Sequence, residues 1–312
     1  MTSAIITLTQ GDFLYIDEWI QYHHNIGIEL FCIGYNGDSK DFNKLPKYDY
    51  VKYFDFSTND SEIFNEFNST ISKRGWPSMW CGCVYIMNNY IKFFCKEYIK
   101  YVAIIDVDEF ISPQEEFTNI TEYLDNIYDQ SLPTEFISMQ VYNGNGNIYY
   151  EDKPVLERFI KSINPNNALF ENENTGFKKS ILNVQHIDYD HILDNGFGFH
   201  ENIYSKSENN LLFNKIILKH FVCKSLEEWI MKMSPKHDRD YCNRFKGIMF
   251  SGWGSYFMGY LDNKITDEAL QAIPKLLKKY NIHYKPEMEE ENEEFKKLYR
   301  KANNIKDNNL NT

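Results

Sequence analysis

Two short apolar runs separated by one amphipathic helix constrain this chain most. Residues 4–8 read AIITL and residues 28–35 read IELFCIGY. Both are compact and rich in β-formers, the type expected of strands covered on both faces. Between them Phe13, Ile16, Trp19, Ile20 and His23 recur at helical spacing, and Gly27 supplies a C-terminal stop. A polar turn over 36–41 and a third strand over 50–56 follow. This β-α-β-loop-β order predicts an open α/β sheet.

Further along, the spacing predicts a helix over 78–100, a central strand over 101–105, a helix over 117–129 and a strand over 135–143. Residues 150–218 read as short strands and long polar loops. A strand over 215–222 precedes a helix over 225–233, where Ser225 and Glu228 form a capping box. Thr266 caps another helix over 266–280. The tail from 287 reads as a charged helix fraying into a disordered end.

A net charge of -12 repels phosphate backbones, so nucleic acid is excluded as a partner. The six cysteines form no C-x-x-C pair, and free thiols in a reducing compartment follow, which places the chain in the cytoplasm. Asn119-Ile-Thr fits the glycosylation sequon, a match that an Asn-rich chain produces by chance. The N-terminus lacks the basic and apolar regions of a signal peptide. No stretch reaches the ~18 apolar residues of a membrane helix, while peripheral membrane association stays open.

The chemistry concentrates in 101–113, YVAIIDVDEFISP, where an apolar strand runs into acids. In open α/β sheets ligands bind at the carboxyl ends of strands. On an extended backbone residues i and i+2 point the same way, so Asp106 and Asp108 would share one ligand. Two close carboxylates repel, and a hard divalent cation removes that cost. Mg²⁺ and Mn²⁺ suit carboxylate, and Mn²⁺ also accepts imidazole. The plainer alternative is a pair of exposed acids at a loop entrance.

With these residues in view, the chain resembles glycosyltransferases of the GT-A fold, specifically the family 92 type, over roughly residues 4–235. A first block keeps Glu18, Trp19, Ile20, Tyr22 and His23, with Asp12 kept in kind, and the following turn keeps Asn36, Ser39 and Asp41. IIDVDEFISP matches a hydrophobic-D-x-D-E-F block, in which Glu109 and Phe110 look like support for the acids before them. Glu157-Arg158-Phe159, then Lys179-Ser180-Ile181 with His191, then HFVCKSLEEW beginning at His220, complete an ordered set.

The resemblance implies a Rossmann-like mixed sheet flanked by helices, with a helical C-terminal extension. It implies a transferase domain over 1–265, with a nucleotide-binding half about 1–115 and an acceptor-binding half about 116–265, followed by the extension over 266–312. It implies Mn²⁺ or Mg²⁺ held by Asp106, Asp108 and His220. Asp12, Asn36, Asp38 and Asp41 would hold uracil or ribose, and Arg158 and Lys179 the diphosphate, with solvated loop acids and surface salt bridges as the plainer alternatives. The base beside the acceptor hydroxyl is open among Asp188, Asp190, His191, Asp194 and Glu201. The implied partners are a UDP-sugar donor, leaning to galactose, and a glycan acceptor. Two rival readings are a haloacid-dehalogenase-like phosphatase and an inactive sugar-nucleotide- or glycan-binding protein. The first expects Thr or Val where this chain has Phe110.

Overall fold

A computed structural model describes residues 1–10, 12–57, 78–162, 178–187, 189, 215–222, 224–232 and 266–280. Two compact units are present: Met1–Gln140 with Asn166–His220, and Val141–Pro165 with Phe221–Thr312.

The first unit holds an eight-stranded mixed sheet. Its strands are β1 (Thr2–Thr9), β2 (Ile28–Tyr35), β3 (Val51–Asp55), β4 (Ile99–Ile104), β5 (Glu109–Pro113), β6 (Thr134–Val141), β7 (Lys178–Asn183) and β8 (Ile216–His220). The order is β3-β2-β1-β4-β7-β6-β8-β5. β3, β2, β1 and β4 run parallel, and β7 lies antiparallel to both β4 and β6. The expected α/β mixed sheet is therefore present, with residues 101–104 in a central strand. Ala4, Ile5, Ile6, Phe31, Cys32 and Ile33 have no exposed surface, as strands covered on both faces require.

Helix α1 (Ile16–Asn25) buries Ile16, Trp19, Ile20 and His23, the predicted stripe. Phe13 falls outside it, because Tyr15 and Ile16 donate their amides to the Asp12 carbonyl in a preceding turn. Gly27 ends the helix at φ +103°, and a Cβ there would lie 2.4 Å from the Asn119 side chain. Asn119 is itself a helix cap: its Oδ1 accepts from the amides of Thr121 and Glu122 at the start of α3 (Ile120–Ile127). The helix predicted over 78–100 is divided. It is α-helical over α2 (Ser78–Ile86), π-helical over Met87–Cys95, and from Ile99 the chain joins β4. Pairing of Ile99 and Tyr101 with β1 overrides helical propensity there.

β5 was not anticipated as a strand. It ends the sheet, paired on one side with β8 and covered on the other by α1. Trp19 Nε1 donates to the Glu109 carbonyl at 2.7 Å, and the Tyr22 hydroxyl donates to the Ile111 carbonyl at 2.8 Å. The Ile111 amide donates to His23 Nε2 at 3.1 Å. Three side chains thus satisfy backbone groups that an edge strand otherwise offers to water or another chain. Phe110, with no exposed surface, packs against Tyr22 and stacks on His23.

In the second unit, which also holds α4 (Val155–Arg158), Ser225 caps α5 (Leu226–Lys232). Its amide donates to Glu228 Oε2 at 2.9 Å and its hydroxyl accepts from the Glu228 amide, the predicted capping box. α6 (Asp267–Lys279) starts from Thr266, whose Oγ1 accepts from the Ala269 amide. Lys279 and Tyr280, at its end, both donate to Glu227 of α5.

His23 accepts through Nε2, so Nδ1 carries the proton and donates to the Trp19 carbonyl at 2.8 Å. Burial depresses its pKa to about 3, against some support from Trp19, and the ring is neutral. In the unfolded chain the ring titrates near 6.5. Its stabilising contribution is complete above that value and is lost as pH falls toward 3. Relative to a His23→Gln variant, the wild type should lose about 2 kcal/mol of its advantage between pH 7 and pH 5. Urea denaturation of both proteins at the two pH values measures this, since every other titrating group is common to them. An unchanged gap would contradict the neutral, buried assignment.

Candidate functional site

The parallel strands β2, β1 and β4 deliver their carboxyl ends to one side of the first unit. At β1 the Thr9 hydroxyl donates to Asp12 Oδ2 at 2.8 Å. At β2 the Asn36 amide donates to the Thr9 carbonyl at 3.1 Å, which ties the two ends together. A Cβ on Gly37 would come within 2.3 Å of the Gln10 carbonyl, so only glycine permits this approach. Asp38 accepts from the Lys40 amide at 3.0 Å and caps the short 3₁₀ turn Ser39–Lys44. Asp41 pairs with Lys44 at 2.6 Å on the surface. Asn36 Oδ1 is buried with no hydrogen-bond partner among the described residues.

At β4 the chain does not remain extended through the acids. The Glu109 amide donates to the Asp106 carbonyl at 3.0 Å, closing a turn over 106–109. The Asp106 amide returns a bond to Glu109 Oε2 at 2.7 Å. Asp106 and Asp108 therefore do not share a direction by strand alternation. The Asp106 carboxylate meets Lys179 at 2.9 Å, whereas Asp108 Oδ1 lies 3.5 Å from His220 Nε2.

Register explains why residues so far apart in sequence meet. β5 and β8 pair Glu109 with His220, so both side chains leave the same face. β7 pairs Ala103 with Ile181. Continuing that register by two residues sets Lys179 opposite Ile105, at the threshold of the turn.

Glu109 is fully buried and organises the cluster. Oε2 lies 3.3 Å from Lys179 Nζ, and Oε1 has no hydrogen-bond partner among the described residues. His220 Nδ1 stands 3.9 Å from Oε1 and 3.0 Å from the Met139 sulfur. Burial raises the Glu109 pKa to about 7. Lys179 and His220 oppose the rise, and Asp106 and Asp108 add to it. Burial also works against charge on Lys179, but Asp106 and Glu109 outweigh it and raise its pKa, so the ammonium stays charged. One ammonium thus faces an excess of carboxylate.

Asp108 and His220 fit two ligands of one small cation. Their 3.5 Å separation is near the roughly 3 Å between neighbouring ligands of an octahedral ion with bonds of about 2.1 Å. Among the described residues no group of three or more His, Cys, Asp or Glu side chains surrounds such a point. Water and substrate oxygens are further ligands that hard cations commonly take.

Arg158, expected at a diphosphate or in a salt bridge, lies beside a carboxylate. Within the second unit its guanidinium forms a buried two-pronged pair with Glu228, at 2.8 and 3.0 Å, while Nε donates to the Lys153 carbonyl at 2.9 Å. The planar fork matches the carboxylate of the capping box. His191, Asp190 and Glu201, with Asp188 and Asp194, lie outside the described residues. Sequence reading assigned Glu109 only a supporting place. Its signal was an acid directly after D-x-D at the head of an apolar run.

The family model for glycosyltransferase family 92 matches residues 92–248, a span that contains Asp106, Asp108, Glu109, Lys179 and His220. The chain belongs to glycosyltransferase family 92. No curated protein sequence matches it. Among solved structures it is similar to the mannosyltransferase Ktr4p from S. cerevisiae, at 12% identity and a TM-score of 0.26, covering 46% of this chain and 41% of that one. It is similar to core-mannan synthase A from Aspergillus fumigatus in a Mn/GDP form, at 10% identity and a TM-score of 0.30, covering 65% and 67%. It is also similar to the galactosyltransferase LgtC in complex with donor and acceptor sugar analogs, at 10% identity and a TM-score of 0.29, covering 78% and 82%. The chain thus spans well under two thirds of the yeast protein's length.

If Arg158 holds Glu228, replacing it strands a buried carboxylate. Arg158→Met should cost about 3–5 kcal/mol in urea denaturation. The double change Arg158→Met with Glu228→Leu should recover part of that loss. A single variant as stable as the wild type would contradict the structural role.

Proposed function

We propose that this protein is a metal-dependent glycosyltransferase of the GT-A type, moving a hexose from a UDP-sugar to a glycan hydroxyl with inversion. Galactose is the sugar toward which the family resemblance leans. The observation that carries this reading is the meeting of Asp108 with His220 beside the buried Lys179–Glu109 pair, within the segment that matches the family.

Asp108 and His220 are the residues that would hold Mn²⁺ or Mg²⁺, with Mn²⁺ the better match to an imidazole. Such an ion supplies positive charge to a departing diphosphate. Asp106, more than half exposed, presents acceptor oxygens toward ribose or sugar hydroxyls. Asp12, Asn36 and Asp38, at the neighbouring strand ends, are suited to uracil and ribose, and Asp41 lies just beyond them. Lys179 holds Asp106 and Glu109 by charge, keeps the turn closed and offers its ammonium beside the diphosphate position. His191, Asp190 and Glu201 remain the candidates for taking the proton of the acceptor hydroxyl. The transferase domain is assigned to 1–265 and the helical extension to 266–312. Among the described residues no helix is long and apolar enough to cross a membrane. A cytoplasmic site accords with the buried free thiols of Cys32 and Cys95.

UDP with Mn²⁺ should raise the melting temperature where ADP or phosphate does not. Asp108→Ala should abolish that shift and reduce UDP-galactose turnover at least about 100-fold, read as UDP release. Turnover equal to the parent would overturn the role given to Asp108. Absence of any UDP effect would favour a phosphatase or an inactive binding protein, and turnover of a different UDP-sugar alone would correct only the donor.

A further inference from the structure

The His220 ring stands between two carboxylates that pull its proton in opposite directions. Antiparallel pairing of β5 with β8 sets Glu109 directly opposite His220, and both side chains leave one face. Nε2 faces Asp108 Oδ1 at 3.5 Å. Nδ1 faces Glu109 Oε1 at 3.9 Å and the sulfur of Met139, on β6, at 3.0 Å. A neutral imidazole carries one proton, and the nitrogen that keeps it has no lone pair for a cation. The tautomer of His220 therefore decides whether Nε2 and Asp108 can act together on a metal ion.

The surroundings of Nδ1 favour the proton there. At 3.0 Å a bare Nδ1 would press its lone pair against those of the Met139 sulfur, whereas a proton between them makes a hydrogen bond. A thioether is a weak acceptor, however, and does not by itself outweigh the Asp108 carboxylate on the other nitrogen. Glu109 supplies the difference. It is fully buried while Asp108 is partly exposed, so water screens its pull less. Its Oε2 is engaged by the Asp106 amide at 2.7 Å and by Lys179 at 3.3 Å. Its Oε1 is buried with no hydrogen-bond partner among the described residues, and this is the oxygen turned to Nδ1. A carboxylate behind a ligating imidazole commonly fixes which nitrogen meets the metal.

We propose that Glu109 is a positioning residue: its buried Oε1 holds the His220 proton on Nδ1 and so keeps Nε2 open toward Asp108 for a divalent cation. This role rests on the reading of Asp108 and His220 as a cation site. Long-range proton–nitrogen spectra of the full, metal-free chain, labelled with nitrogen-15 at histidine and held at pH 8, locate the proton. The His220 signals are assigned by their loss in His220→Gln. The wild type should carry the proton on Nδ1, and a proton on Nε2 would overturn the proposal. Met139→Leu should leave it on Nδ1. A move to Nε2 in that variant would also overturn the proposal, because the sulfur would then be what holds it. Glu109→Gln keeps the size of the side chain. The Asp106 amide and Lys179 are donors and hold its amide oxygen in the place of Oε2, so its NH₂ group faces Nδ1. Two donors oppose each other there, and the proton should move to Nε2. Mn²⁺ affinity, read from the paramagnetic resonance of the free ion, should fall by at least about tenfold. An unmoved proton in this variant would overturn the proposal. The wild-type and Met139→Leu spectra decide it even where Glu109→Gln does not fold. Mn²⁺ bound equally by the wild type and Glu109→Gln would refute the positioning role alone. No Mn²⁺ bound by the wild type would refute the metal-dependent reading, and the positioning role with it.

Discussion

Glu109 is a carboxylate with no exposed surface, and the candidate site is arranged around what keeps it there. Burying a carboxylate is costly unless a partner compensates. Here Lys179 supplies charge, and the Asp106 amide supplies a hydrogen bond to the same oxygen. Those two contacts close the turn after β4 and bring β7 against it. The compensation is incomplete: the carboxyl still titrates near neutrality, and its second oxygen is unbonded among the described residues. Asp106 and Asp108 increase the negative excess, so the site is electrostatically prepared for added positive charge.

The second constraint is the edge of the sheet. β4 and β5 are neighbours in the chain, yet β7, β6 and β8 separate them in the sheet order. The turn at Asp106–Glu109 is where the chain leaves one strand and enters the other. It is held from three directions: β8 pairs with β5 and brings His220, β7 brings Lys179, and α1 closes the outer edge through Trp19, Tyr22 and His23. The helix block that marked the family resemblance thus has a mechanical reason. Its Trp, Tyr and His occupy backbone groups that fix where the acids point.

Much of this was legible beforehand. The strands covered on both faces, the stripe of α1 and the caps at Ser225 and Thr266 follow from residue type and spacing, whereas the association of D-x-D with His220 came from the family resemblance alone. What spacing missed has physical reasons. β5 is five residues long and ends in proline, so it is a strand only because β8, about a hundred residues later, pairs with it. The turn over 106–109 replaced an extended segment because Glu109 can bond back to the Asp106 amide. Arg158 left phosphate and salt bridge open in the sequence because an arginine fork suits phosphate and carboxylate alike, and only the fold shows Glu228 beside it.

The sequence by itself determined the βαβ beginning, the buried central strand and its acidic end, because periodicity and strand composition act locally. Only the tertiary structure decided which charges would meet. Asp106 went to Lys179, Asp108 to His220 and Arg158 to Glu228, and each pairing spans 70 residues or more. Such contacts depend on strand register and helix placement, and no local pattern encodes them, because a shift of one residue in a strand would turn each side chain to the other face.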